Sequence, residues 1–244
     1  MRIISWNCQG KLRAKFQDVW KLQPDVLVIQ ECENFDEYSF KFDIKPTSKI
    51  WVGDVKSKGV GILSFSDCVV EKIDVIQVGR FVVPVRVRTS EEEITLFAVW
   101  AMDDKNKPRN RYIGQVWLAL QDFEPLLNER TILIGDFNSN TIWDFPKRAR
   151  IANHSEVVDF LSERKIQSVY HVLGKQRHGE EETNTFFLYR KPDRGYHIDF
   201  CFASEKLIQR KNSFEIGKTE DWIGRSDHMP LVFEFQDENL SDAT

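Results

Sequence analysis

No apolar run in this sequence approaches the roughly 18 residues that a membrane-spanning helix needs, and the opening Met1-Arg2-Ile3-Ile4-Ser5-Trp6 is too short for a signal peptide. A cytoplasmic protein is therefore expected. Cysteine is scarce: Cys8, Cys32, Cys68 and Cys201 lie far apart and form no C-x-x-C pair. That excludes a disulfide framework and argues against a thiolate zinc site, leaving reduced thiols packed as small hydrophobes. Positive charge is not in excess either. With 34 Lys+Arg against 38 Asp+Glu the formal net charge is −4, so a uniformly basic polyanion-binding coat is excluded, though a local basic face is not. No internal repeat and no low-complexity segment occurs, which removes collagen-like and disordered classes.

What is present is globular composition. Hydrophobic residues make up 41% and charged residues 30% of 244 positions, enough apolar material for a large core. One domain is expected over residues 1–235, because no stretch reads as a linker, followed by a short polar tail at 236–244. A monomer is expected.

Short apolar runs separated by turn residues predict strands at 3–6, 26–30, 60–65, 69–75, 81–87, 94–100, 131–134, 185–189, 196–202 and 231–235. Helical spacing links Leu12, Phe16, Val19 and Trp20, and again Ile113, Val116, Trp117, Leu120 and Phe123. A third stripe joins Val157, Val158, Phe160 and Leu161, with Ser155 as its expected N-cap. The order opens β-α-β, runs through strands without helices, then alternates before closing on strands. This predicts an α/β protein of two sheets packed face to face with helices outside, rather than one doubly wound sheet.

Residues with chemistry gather at the predicted strand ends. Asn7 follows the first strand, Glu31 the second, Asp136 and Asn138 the 131–134 strand, while Asp227 and His228 precede the last. Asp199 is predicted inside a strand, with Tyr196, Ile198, Phe200 and Phe202 on one face and His197, Asp199 and Cys201 on the other. Each alone reads as a turn residue or cap; convergence at one edge of a sandwich is what points to chemistry. The oxygen-rich set Asn7, Glu31, Asp136, Asn138 and Asp227 suits Mg2+ or Mn2+ better than zinc.

Six stretches then resemble one known group in the right order: Trp6-Asn7-Cys8-Gln9-Gly10, Ile29-Gln30-Glu31, Lys58-Gly59-Val60-Gly61-Ile62-Leu63, Gly135-Asp136-Phe137-Asn138, Tyr196-His197-Ile198-Asp199-Phe200 and Ser226-Asp227-His228-Met229-Pro230-Leu231. Together they are similar to the elements of the endonuclease/exonuclease/phosphatase superfamily, with its deoxyribonuclease-I-like fold and exonuclease III-type relatives. The resemblance implies a four-layer α/β/β/α sandwich of two mixed sheets, with phosphate esters hydrolysed at one edge by a divalent cation. It implies Glu31 as metal ligand with Asp227 beside it, and Asn7 positioning Glu31 and the phosphate. Asp136 and Asn138 would orient water and phosphoryl oxygens. His228 paired with Asp199 would serve as general base or as a phosphate-stabilising imidazolium. Two departures bear on the branch. Val99-Trp100-Ala101-Met102 holds no second histidine, and Gln9 stands where the abasic-site repair branch carries an aspartate.

Basic loops suggest the substrate. Lys105, Lys107, Arg109 and Arg111 form one cluster, Lys147, Arg148 and Arg150 a second, and Arg190, Lys191 and Arg194 a third. Trp51, Trp143 and Trp222 are aromatics near turns that stack on a base or pack in the core. Lys58, Arg109, Arg111, Trp143 and Tyr196 are the candidate substrate contacts. The leading expectation is a metal-dependent nuclease on DNA or RNA. The alternative is an esterase on inositol phosphate or a lipid headgroup; a catalytically dead binding module is the least supported.

Overall fold

The computed structural model describes residues 1–41, 44–75, 80–144 and 150–236. Its strands run β1 (Arg2–Asn7), β2 (Val26–Cys32), β3 (Ser48–Val55), β4 (Lys58–Ser64), β5 (Val69–Lys72), β6 (Val82–Arg88), β7 (Glu93–Trp100), β8 (Thr131–Asp136), β9 (Ile166–Ser168), β10 (Phe186–Phe187), β11 (Gly195–Tyr196), β12 (Asp199–Ser204), β13 (Asn212–Ile216) and β14 (Leu231–Phe235). The helices are α1 (Leu12–Trp20), α2 (Ile113–Asp122), α3 (His154–Glu163), α4 (Val169–Gly174), α5 (Glu205–Ile208) and α6 (Thr219–Trp222). One six-stranded sheet has the order β13-β14-β1-β2-β4-β3 and the other β5-β6-β7-β8-β12-β9.

Alternation along the strands builds the layers. Ile3, Val26, Val28, Ile62, Leu231 and Phe233 of the first sheet meet Val85, Leu96, Ile134, Cys201 and Ala203 of the second in one buried cluster between the sheets. The residues between them in sequence face outward. Leu12, Phe16 and Val19 of α1 cover Ile4 and Leu27, and α2 with α3 covers Phe97, Leu133, Phe200 and Phe202. The expected four-layer sandwich is present, and all four cysteines are buried and outside any disulfide. No helix among the described residues is long and apolar enough to cross a membrane.

Several expectations need correction. The third helix is capped by Asn153, not Ser155: the Asn153 side chain accepts from the Glu156 N–H while the Glu156 carboxylate accepts from the Asn153 N–H, a reciprocal box that outcompetes a serine two residues later. The strand expected at 185–189 keeps Phe186–Phe187 and then turns, with Tyr189 and Arg190 at positive φ. The strand expected at 196–202 is two strands, so Asp199 opens β12 rather than lying inside it. Across that break His197 packs against Phe200, leaving the face it was expected to share with Asp199. Edge strand β3 escaped the pattern because it is nowhere fully buried. Gln236 donates to Lys211 O rather than fraying, while 237–244, Lys147 and Arg148 lie outside the described residues.

Gly135 is a position where backbone geometry admits nothing larger. Its φ is +147°, and a Cβ there would stand 2.0 Å from Val99 O and 2.8 Å from the Gln30 amide. Gly135→Ala combines backbone strain with overpacking and is expected to cost roughly 2–4 kcal/mol, read as a lower denaturation midpoint at unchanged slope.

Candidate active site

Sheet topology explains why distant residues meet. β1 and β2 are parallel and in register to Asn7↔Gln30; β7 and β8 are parallel to Trp100↔Asp136, so these strands end at one edge. The antiparallel partners begin there: β12 sets Asp199 opposite Asp136, and β14 follows Asp227 and His228 beside β1. Asn7, Asp136, Asp199 and His228 are all buried at this edge.

Two carboxylates as direct cross-strand partners repel, and a cation between them relieves it. His228 occupies that place. Its Nδ1 lies 2.9 Å and 3.1 Å from the two Asp199 oxygens, and its Nε2 lies 3.9 Å from Asp136 Oδ2. Asp199 is itself fixed by its backbone N–H, which donates to Thr185 Oγ1 at 3.0 Å. The His228 backbone is held twice, by Trp6 Nε1 donating to its carbonyl at 3.0 Å and by its N–H donating to Ser226 Oγ at 3.1 Å. Burial alone lowers the affinity of His228 for a proton, but the Asp199 and then the Asp136 carboxylate outweigh it and raise the pKa. Burial also raises Asp136, reinforced by Asp199 and opposed by His228 and Asn7.

Donors converge on Asp136. Asn7 Nδ2 donates to Oδ2 at 3.0 Å, and Asn138 donates its backbone N–H to Oδ1 at 2.8 Å and its amide to Oδ2 at 3.3 Å. Asn7 thus meets Asp136, not Glu31. Asn138 sits at φ 48°, a left-handed turn asparagine tolerates, which folds its side chain back on Asp136.

Glu31 and Asp227 stand beside this network. Glu31 has φ 60° at a register shift between Ile29 and Cys32, and Lys58 Nζ pairs with it at 2.9 Å. Asp227 accepts from Gln9 Nε2 at 2.7 Å. Burial raises the Asp227 pKa; His228 opposes this and the Glu31 charge adds to it, so the two carboxylates sense one another.

The candidate substrate residues divide. Trp143 and Tyr196 have ring centroids 5.3 Å apart, and Phe186 continues the row, 6.5 Å from Tyr196 and 4.7 Å from His228. Arg109 and Arg111 lie on the loop after β7, where Arg111 reaches Asp103 at 4.0 Å, and neither has a bond to the network among the described residues. Trp222 is buried on Trp6 and Trp51 donates to Cys32 O, so both serve packing. Sequence reasoning missed Phe186 and Thr185, which lie in the short hairpin arm; Arg190, expected only as part of a basic substrate-facing cluster, donates its Nε–H to Gln9 Oε1 at 3.1 Å.

Comparison with known proteins gives the family and the fold. The model of the Endonuclease/Exonuclease/phosphatase family matches residues 4–228. A 3'-5' exonuclease, NExo from Neisseria meningitidis, is similar with TM-score 0.68 and 21% identity over 97% of this chain and 100% of that one. The endonuclease domain of TRAS1, a telomere-specific non-LTR retrotransposon, aligns with TM-score 0.66 and 18% identity over 97% and 98%. Truncated TDP2 of Caenorhabditis elegans aligns with TM-score 0.65 and 15% identity over 96% of each chain. At such identities the likeness is one of fold.

Proposed function

Because the chain belongs to the endonuclease/exonuclease/phosphatase family, we propose that it is a divalent-metal-dependent hydrolase of phosphate esters acting on nucleic acid. The observation that carries the hydrolytic reading is the buried Asp199–His228–Asp136 arrangement, with two asparagines aimed at its terminal carboxylate.

The residues fit a hard cation: Glu31 and Asp227 supply oxygen donors only, and the Glu31 charge raises the cost of ionising Asp227. They would hold Mg2+ or Mn2+, which neutralises phosphate charge ahead of attack. Asp136, its proton affinity raised by burial, accepts the proton of the attacking water. Asn7 and Asn138 keep that carboxylate oriented. His228 remains an imidazolium held by Asp199, and its Nε2–H faces the developing charge on the phosphoryl oxygens. Water adds to phosphorus, the opposite P–O bond breaks, and the leaving oxygen takes its proton from solvent.

The aromatic row from Trp143 through Tyr196 and Phe186 to His228 favours nucleobases as the neighbours of the scissile phosphate, as does NExo, solved as a 3' phosphatase bound to product DNA hairpin. Stacking is worth about 1–3 kcal/mol per base. Two stacked bases therefore imply kcat/KM at least about thirtyfold above that of a small diester. Rates with Mg2+ on DNA and RNA oligonucleotides, a nitrophenyl diester and inositol phosphates test this. Inositol phosphate turnover with nucleic acid untouched would overturn it.

A further inference from the structure

Four of the five histidines are not at the active site. His154, His171, His178 and His197 gather around Phe200 on the outer face of the second sheet, with ring centroids 4.7, 6.2, 6.1 and 4.9 Å from it. Imidazoles buried among aromatics are costly unless their nitrogens are bonded. Here several are not: both nitrogens of His154 and Nδ1 of His178 are buried without a partner among the described residues. His171 differs, with Nδ1 2.7 Å from Ser168 Oγ and Nε2 3.1 Å from Glu181 Oε1. The Glu181 side chain is 4% exposed, and no lysine or arginine pairs with it among the described residues. Ligand atoms from His171, His178 and Glu181 lie within 4.8 Å of one another.

We infer that His171, His178 and Glu181 form a zinc site separate from the hydrolytic centre. Two imidazoles and one carboxylate suit Zn2+ and not Mg2+, with the fourth position left to water. The surrounding bonds have the pattern of a metal centre's support: Ser168 orients His171 through its other nitrogen, and the Gly179 N–H donates to Glu181 at 3.0 Å. The His171 and His178 rings are stacked at 3.6 Å and 16°, so His178 must turn out of the stack to ligate. It sits in the turn ending at Gly179 (φ +89°), beside a cavity of about 320 Å³ lined by Ser168, His171, Gln176 and Phe202 that gives an ion its entry. The bound ion would tie the segment after α4 to the Asp136 loop, since the Thr141 hydroxyl lies against Gly179 and Asn140 donates to His197 O at 2.8 Å.

The test strips the full chain with chelator, restores millimolar Mg2+, titrates Zn2+ and measures retained zinc and Tm. One equivalent is expected to survive dialysis, raising Tm by about 5–10 °C at zinc a hundredfold above Kd. His178→Asn and the near-isosteric Glu181→Gln should each lose that equivalent, whereas Glu31→Gln, altered at the hydrolytic centre, should keep it. Wild-type protein that retains no zinc, or retains it in both His178→Asn and Glu181→Gln, overturns the site and leaves the histidines as aromatic packing. Loss in Glu31→Gln instead would assign the ion to the hydrolytic centre and equally overturn it.

Discussion

His228→Ala is expected to lower kcat by about 10²–10⁴, the usual loss for a positioned proton-bearing group. The reason is that one ring does two tasks. Its Nδ1 answers Asp199 and its Nε2 faces Asp136, so removal deletes the cation at the phosphate and leaves two cross-strand carboxylates facing each other. Stability should fall as well, because Asp199 would remain buried without its partner; circular dichroism separates the effects, since a folded but inactive variant is the expected product. Asp199→Asn refines the result. It removes the first of the charges that hold the His228 pKa up. A raised pKa means the proton is held below it and lost as pH rises through it, so in Asp199→Asn the alkaline fall of kcat moves to lower pH. If His228 worked instead as a neutral base, the same substitution would extend its active range downward and move the acid limb. A wild-type rate in folded His228→Ala would remove the proposed chemistry.

The candidate site was legible because its residues sit where pattern is strongest. Asn7, Asp136 and His228 flank central strands that are apolar on both faces, so the strand ends, and the polar residues there, stand out. Asp199 was identified while its setting was misjudged: alternation extrapolated from Phe200 and Phe202 does not survive the break at residues 197 and 198. The hairpin of β10 and β11 was less legible, since two-residue strands carry no period. Phe186 and Thr185 acquire their places from pairing with His228 and Asp199, which local spacing does not encode. His171, His178 and Glu181 were silent for the same reason. Their spacing follows no metal motif, and only the fold of the segment after α4 brings them together. Arg109 and Arg111 show the reverse case, a basic run obvious in sequence whose side chains have no bond to the network among the described residues.

Glu31→Gln is expected to lower turnover at fixed Mg2+ by about a thousandfold and to shift the Mg2+ dependence upward, because several kcal/mol of charge stabilisation rest on the cation. The backbone argues for this position. A non-glycine residue at φ 60° costs about 1–3 kcal/mol, and such strain persists where surrounding structure imposes it. Here the register shift between Ile29 and Cys32 turns Glu31 out of the strand, placing its carboxylate where Asp227 senses it. Glutamine keeps the same shape and tolerates that φ as glutamate does, so the fold should be unchanged while one anionic donor is lost. Relief of its charge also lets Asp227 ionise more readily, which makes the loss a matter of ligand number rather than of protonation. Lys58 gives the opposite sign. Its ammonium pairs with Glu31 at 2.9 Å and competes with a metal for the same oxygens, so Lys58→Met should tighten apparent Mg2+ affinity. Isothermal titration of Mg2+ into both variants reads the two shifts directly. If both variants bound the ion as wild type does, Glu31 would have no part in holding it.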